Sequence, residues 1–151
     1  MDYITEIRKL VGHRPLIMAG ATVLILDRSN RLLMMRRTDN HCWGVPGGAM
    51  ELGETYEDTA RRETREEVGV ELGDVKLFSV QSGPESHYVY ANGDEIYAAN
   101  VTYLVRDFCG EIKLDTNEHS EYRYFDLDDL PDDISPPIKP ILRDLRMRVT
   151  E

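Results

Sequence analysis

Cations, cysteines and long apolar runs are all scarce in this chain of 151 residues, and each shortage excludes a class of protein. Lysine and arginine number 18 against 28 acidic residues, a formal charge of −10. That balance argues against a general nucleic-acid surface, because phosphate backbones reward clustered cations. The longest apolar stretch, residues 16–26, is far too short to cross a bilayer. The opening MDYITEIRKL lacks the basic start, apolar core and small-residue cleavage site of a secretory leader, so a cytoplasmic protein is expected. Cys42 and Cys109 lie in unrelated segments, with neither a CxxC spacing nor a disulfide framework, and read as packing thiols. His13, His41 and His119 show no metal or triad spacing. What remains, 41% hydrophobic and 30% charged residues with no repeat, is the composition of a folded protein, and the length suits one domain over residues 1–151.

The most informative stretch is GAMELGETYEDTARRETREEVGV, residues 48–70. Thr55 has the hydroxyl of an N-cap, Glu57 and Asp58 suit the positive end of a first turn, and Gly69 is a natural C′ stop, which predicts a helix over 56–68. On it Glu63, Glu66 and Glu67 stand i, i+3 and i+4 apart, so their carboxylates converge on one face. Like charges at those spacings cost roughly 0.2–0.5 kcal/mol per pair. A hard divalent cation, which prefers oxygen ligands, reverses the sign of that cost. The Gly48 carbonyl, in a Gly47-Gly48 turn with no Cβ to block approach, is a further candidate oxygen ligand. The bland alternative is a solvated face in which Arg61, Arg62 and Arg65 neutralise the acids through i, i+4 pairs.

Gly48, Glu54, Arg62-Glu63, Glu66-Glu67 and Gly69 follow the pattern G-x5-E-x7-R-E-U-x-E-E-x-G-U, with U apolar, and in this the chain resembles the Nudix hydrolase family. One position departs: the first U is Thr64, which keeps a methyl for packing and leaves every charged position intact. WGVPGG before the box and EYRYFDLDDLP after it are also similar to that family. The resemblance implies an α/β/α sandwich and hydrolysis of a nucleoside diphosphate linked to another group, with Mg²⁺, or Mn²⁺ in its place, as cofactor. It implies metal binding by Gly48, Glu63, Glu66 and Glu67, and a structural pairing of Glu54 with Arg62. It also implies one more acid from a later loop as ligand or general base, for which Glu118 is the best match and Glu121 the nearest rival.

Of Arg36 and Arg37, strand alternation puts only one on the pocket side, where it would clamp a phosphate. Trp43, His87, Tyr88 and Tyr90 are candidates to stack a base or ribose, with core or edge packing as the alternative for each. In the family, a proline about fifteen residues beyond the box goes with ADP-ribose hydrolysis and a slightly later tyrosine with dinucleoside polyphosphates; Pro84 and Tyr88 satisfy both. The reading leans to ADP-ribose or a similar sugar nucleotide. Dinucleoside polyphosphate or nucleoside triphosphate hydrolysis is the alternative, and a nucleotide sensor that does not cleave is a third. Oligomeric state is not readable.

Around the box, an amphipathic helix is expected over 3–11, broken by Gly12 and Pro15. Strands are expected at 16–26 and 32–37, joined by a DRSN hairpin, then at 43–46, 76–82, 87–90, 95–106, 111–114 and 121–126. Asn92-Gly93 marks a second hairpin, and the apolar spacing of Ile138, Ile141, Leu142 and Leu145 marks a last helix over 138–149. Strands outnumber helices, so the expected class is α/β, a mixed sheet between helices.

Overall fold

The computed structural model describes residues 2–149. Helix α1 spans Tyr3–Val11, α2 Tyr56–Val68 and α3 Lys139–Val149. The long strands are β1 (Leu16–Ile25), β2 (Arg31–Arg37), β6 (Val75–Gln81), β8 (Glu95–Val105) and β10 (His119–Asp126). Shorter ones are β3 (Trp43–Gly44), β4 (Gly47–Ala49), β5 (Glu71–Leu72), β7 (His87–Val89) and β9 (Phe108–Cys109).

β1 is the hub because its LIMAGATVLI run has no polar side to turn to water. Ala21, Val23 and Ile25 pack with Ala60 and Val68 of α2, whereas Leu24 and Leu26 pack with Ile141, Leu142 and Leu145 of α3. β2 alternates in the same way, Leu33 and Met35 toward α2, Leu32 and Met34 toward α3. Two apolar faces covered by two helices make the α/β/α sandwich that the sequence predicts. β1 runs parallel to β8 in unbroken register from Leu16↔Ile96 to Ile25↔Val105 and antiparallel to β4, and β6 and β7 complete a five-stranded mixed sheet.

The DRSN segment does turn the chain, with Asn30 at φ 60° and Leu26 bridging Leu32, but the strands on either side then part company. β2 joins a separate antiparallel sheet, β10-β2-β3. The Asn92-Gly93 hairpin forms as expected: Tyr90 N donates to Asp94 O at 2.8 Å, with Gly93 at φ 94°.

Two expectations need correction. Residues 111–114 are not a strand: Ile112 and Leu114 do pack on the core, but the N–H groups of Lys113 and Asp115 donate to the Val68 and Glu67 carbonyls at the end of α2. The free carbonyls of a helix terminus took donors that a strand would have offered to a neighbour. Conversely, Gly47-Gly48 is not a turn but part of β4, held against β1 through Ala21↔Gly48. Glycine is needed there for space, since a Cβ at Gly47 would come within 2.5 Å of the Ala21 oxygen.

Candidate active site

The box helix is fixed at both ends by its own sequence. Thr55 Oγ1 accepts from Asp58 N and Asp58 Oδ2 accepts from Thr55 N, each at 3.0 Å, a reciprocal N-terminal box. Gly69 closes the other end in the left-handed region, its N–H donating to Arg65 O. Thr64, the departure from the family pattern, is fully buried and donates its hydroxyl to Ala60 O at 2.8 Å, so the helix seats without loss of a polar partner.

One face of α2 then meets β4 and the loop between them. Glu54 accepts from Arg62 Nε at 2.7 Å and Nη2 at 3.0 Å, from Glu51 N at 2.8 Å and from the Thr59 hydroxyl at 3.0 Å. Those donors, the Arg62 guanidinium first, pull its carboxyl down to about 2. Arg62 Nη2 also reaches Ala49 O, tying loop, strand and helix together. Its remaining nitrogen, Nη1, lies 3.0 Å from Glu63 Oε1 and 3.2 Å from Glu66 Oε2. Arg61 and Arg65 turn away, to Glu57 and to Glu71. Of the three arginines, Arg62 alone reaches the clustered acids, pairing with Glu66 at i, i+4 and with Glu63, so the neutralised face of the alternative reading forms only in part.

Glu63 and Glu67 are placed differently. The Glu63 side chain is 16% exposed, and a Cβ on Gly48 would overlap its carboxylate, so the backbone of β4 approaches closely only because Gly48 has none. Desolvation pushes the Glu63 carboxyl up to about 7, with Arg62 opposing. Glu67 accepts one bond from Gly47 N at 2.9 Å; burial raises it well above the usual carboxylate range, and the Glu63 and Glu118 charges add to the rise. Among the described residues no three acidic, histidine or cysteine side chains are drawn in closely enough to cage an ion. The donor set nonetheless fits one: hard oxygens, two of them on desolvated carboxylates with too few partners, against a backbone kept bare of side chain.

These groups open on a cleft of about 570 Å³ that is lined by Gly48, Glu63, Glu66, Glu67 and Glu118 together. Glu118 is brought there by a loop pinned to the end of β2, where Thr38 N donates to Glu118 O at 2.9 Å and the Thr38 hydroxyl to Asn117 O at 3.0 Å. Glu121 lies outside the lining and accepts from Arg123.

A second cleft, about 420 Å³, shares Gly48 and Tyr90 with the first and is lined by Arg37 and Tyr88. The Tyr88 and Tyr90 rings meet edge to face at 4.9 Å. Arg37 is held in a fork by Asp39 at 2.9 and 2.7 Å, whose carboxyl falls to about 2 as a result. Arg36 faces the other way: it donates to His41 O and lies 5.7 Å from the Trp43 ring centre, which Arg123 also approaches at 5.5 Å. Trp43 itself is core, 5% exposed, and His87 pairs with Glu95. Residues the sequence reading missed also line the first cleft: Asp115, next to the helix end, Asn92 and Asp94 from the hairpin tip, and Ile4, Thr5 and Arg8 from α1. The Asn92-Gly93 turn gave the hairpin but not the approach of its tip to the cleft.

The family described as NUDIX domain matches residues 16–145. An ADP-ribose pyrophosphatase of Methanocaldococcus jannaschii is 29% identical over 71% of this chain, which spans 61% of that relative's length. An RNA pyrophosphohydrolase of Pelagibacter ubique is 26% identical over 87% of this chain and 90% of its own length. The crystal structure of a MutT NUDIX hydrolase from Burkholderia pseudomallei superposes with a TM-score of 0.73 at 29% identity, covering 87% of this chain and 98% of that one.

Proposed function

The chain belongs to the NUDIX family, whose relatives here are named as hydrolases of phosphoanhydride bonds, and from that premise we propose a divalent-metal-dependent pyrophosphohydrolase acting on a nucleoside diphosphate linked to a sugar, ADP-ribose being the type. The observation that carries the reading is the pair of desolvated carboxylates, Glu63 and Glu67, set against bare Gly48 at the head of a cleft that also receives Glu118.

Glu63, Glu66, Glu67 and the Gly48 carbonyl would hold the ion, with Mg²⁺ the expected species and Mn²⁺ its alternative. When bound, it supplies charge neutralisation for the phosphate oxygens and a lowered pKa for water. The chain's own groups do the rest. Glu118 accepts the proton of the attacking water as the water oxygen bonds to one phosphorus and the bridging oxygen leaves with the other phosphate. Arg37, oriented by Asp39, presents a planar fork to phosphate oxygens, while Tyr88 and Tyr90 offer the base or ribose an aromatic wall. Glu54 and Arg62 keep loop and helix in register and take no part in the chemistry. Two free thiols, Cys42 and Cys109, suit the reducing cytoplasm.

The relative named as an RNA pyrophosphohydrolase and the MutT structure favour a second reading, in which the substrate is a nucleoside triphosphate or a triphosphate end. Incubation of the protein with ADP-ribose, a dinucleoside polyphosphate and a nucleoside triphosphate, with Mg²⁺ and then with excess chelator, separates these. AMP and a phosphorylated sugar from ADP-ribose, abolished by the chelator, is the expected result. Binding without turnover of any of the three makes the protein a sensor and overturns the proposal.

A further inference from the structure

Helix α1 lies outside the residues matched by the family, yet it is docked onto the candidate site. None of its residues is fully buried, although Ile4, Ile7 and Val11 form a half-buried stripe at helical spacing. Polar contacts complete the seat. Tyr3 N donates to Glu51 Oε2 at 3.0 Å, on the loop that enters the box helix. Arg8, only 11% exposed, is the main tie: Nη1 donates to the Gly12 and Arg14 carbonyls, Nη2 donates to Glu95 O at 2.7 Å, and Nε lies 3.7 Å from Asp94. His13, just past the helix, contacts the same Asp94 at 2.7 Å. One guanidinium thus bolts α1 to the tip of the β7–β8 hairpin across the mouth of the cleft.

The cleft therefore has two unlike ends on either side of Gly48 and Tyr90. Toward Arg37 and Tyr88 it is aromatic with a cation. Toward α1 it is lined by Asp2, Thr5, Glu51, Asn92 and Asp94, and the two cations on that lining, Arg8 and Arg62, are committed to carbonyls and carboxylates. Asp2, Glu51 and Asp94 already accept from Thr5 N, Tyr3 N and His13, but a carboxylate has lone pairs beyond one such bond. This acidic wall, with both its cations committed, therefore accepts from hydroxyl groups and repels phosphate.

We propose that α1, bolted by Arg8, builds the half of the cleft that receives the group carried on the far phosphate, and that this half selects an uncharged polyhydroxyl group, a sugar, over a further phosphate. The inference rests on the pyrophosphohydrolase reading and names the residues that set its specificity. Arg8 is a positioning residue in it, and Thr5 lines the pocket directly.

Two full-length variants test it, with kcat and KM measured for ADP-ribose and for ATP in Mg²⁺ and thermal melts as a check on folding. Arg8→Met unbolts the wall, and Thr5→Arg, at an exposed position of a helix with no buried residue, adds a cation to it. In Arg8→Met the ratio of kcat/KM for ADP-ribose to that for ATP is expected to fall about tenfold, through KM. Thr5→Arg is expected to shift the same ratio toward ATP by about tenfold or more. Ratios within about twofold of the parent protein in both variants overturn the inference. If Arg8→Met melts early, Thr5→Arg alone decides. A parent protein that cleaves neither compound overturns the reading of the site itself, an outcome distinct from an active parent whose variants keep its preference.

Discussion

Two carboxylates near the box helix, Glu54 and Glu63, both touch the Arg62 guanidinium, yet their environments drive them in opposite directions. Glu54 collects four donors and is held at about 2; Glu63, beside Gly48, has one cationic partner for a desolvated group and rises to about 7. The first is a finished structural lock. The second, with Glu67 behind it, is a desolvated acid short of partners, which on the proposed reading a metal ion completes. The lesson is that acidity alone does not mark a site; the shortage of partners around a buried acid does.

Removing the unfinished side should have the largest effect. Glu67→Gln keeps the volume and an acceptor for Gly47 N but removes the charge, and turnover is expected to fall by at least about a hundredfold, since even outer-shell groups of metal sites are worth 10–100-fold. Its melting temperature should not fall, because a desolvated carboxylate is lost. A variant that melts much earlier than the parent would place Glu67 with the lock instead.

Breaking the lock should be a stability effect of intermediate size. Glu54→Gln retains acceptors for Glu51 N and the Thr59 hydroxyl but loses the ion pair, and about 1–2 kcal/mol of stability is expected to go with it, read as a lower urea midpoint at constant slope. An unchanged midpoint would show that the pair is ornamental.

The smallest effect, and the sharpest contrast, is in pH. Between about 4.5 and 7 the folded protein holds the Glu63 proton more tightly than the unfolded chain does, so stability contributed by this group falls as pH rises through that window. For Glu54 the unfolded chain is the tighter binder between about 2 and 4.5, and its contribution is lost as pH falls through that range. Chelated protein is therefore expected to melt lower at pH 8 than at pH 5, with Mg²⁺ removing the difference and Glu63→Gln reducing it. A melting temperature that does not move between the two pH values would erase the contrast.

How much of this was legible in sequence depended on range. The limits of α2, its cap at Thr55 and its stop at Gly69 are local and could be read directly, as could the doubly buried β1. β4 could not, because Gly47-Gly48 carries no strand signal; it is a strand only because β1 is alongside and because Glu67 reaches Gly47 N. Residues 111–114 misled for the converse reason, a strand-like apolar alternation whose donors were captured by the end of α2. Glu118 was within reach of the family pattern, and strand alternation called for one of Arg36 and Arg37 on the pocket side, where Arg37 lines the second cleft. The role of α1 rests on contacts between residues as far apart as Tyr3 and Glu51 or Arg8 and Glu95, and nothing local announces those.

Arg62 Nη1 rests between Glu63 and Glu66 while its other nitrogens stay fastened to Glu54 and Ala49. On the proposed reading, loading this protein is a swap of counter-ions rather than the filling of a hole: a tethered organic cation yields two oxygens to a free inorganic one without leaving its post. On that reading, a residue that never touches the ion raises the metal concentration needed to fill the site, by competing for the same oxygens.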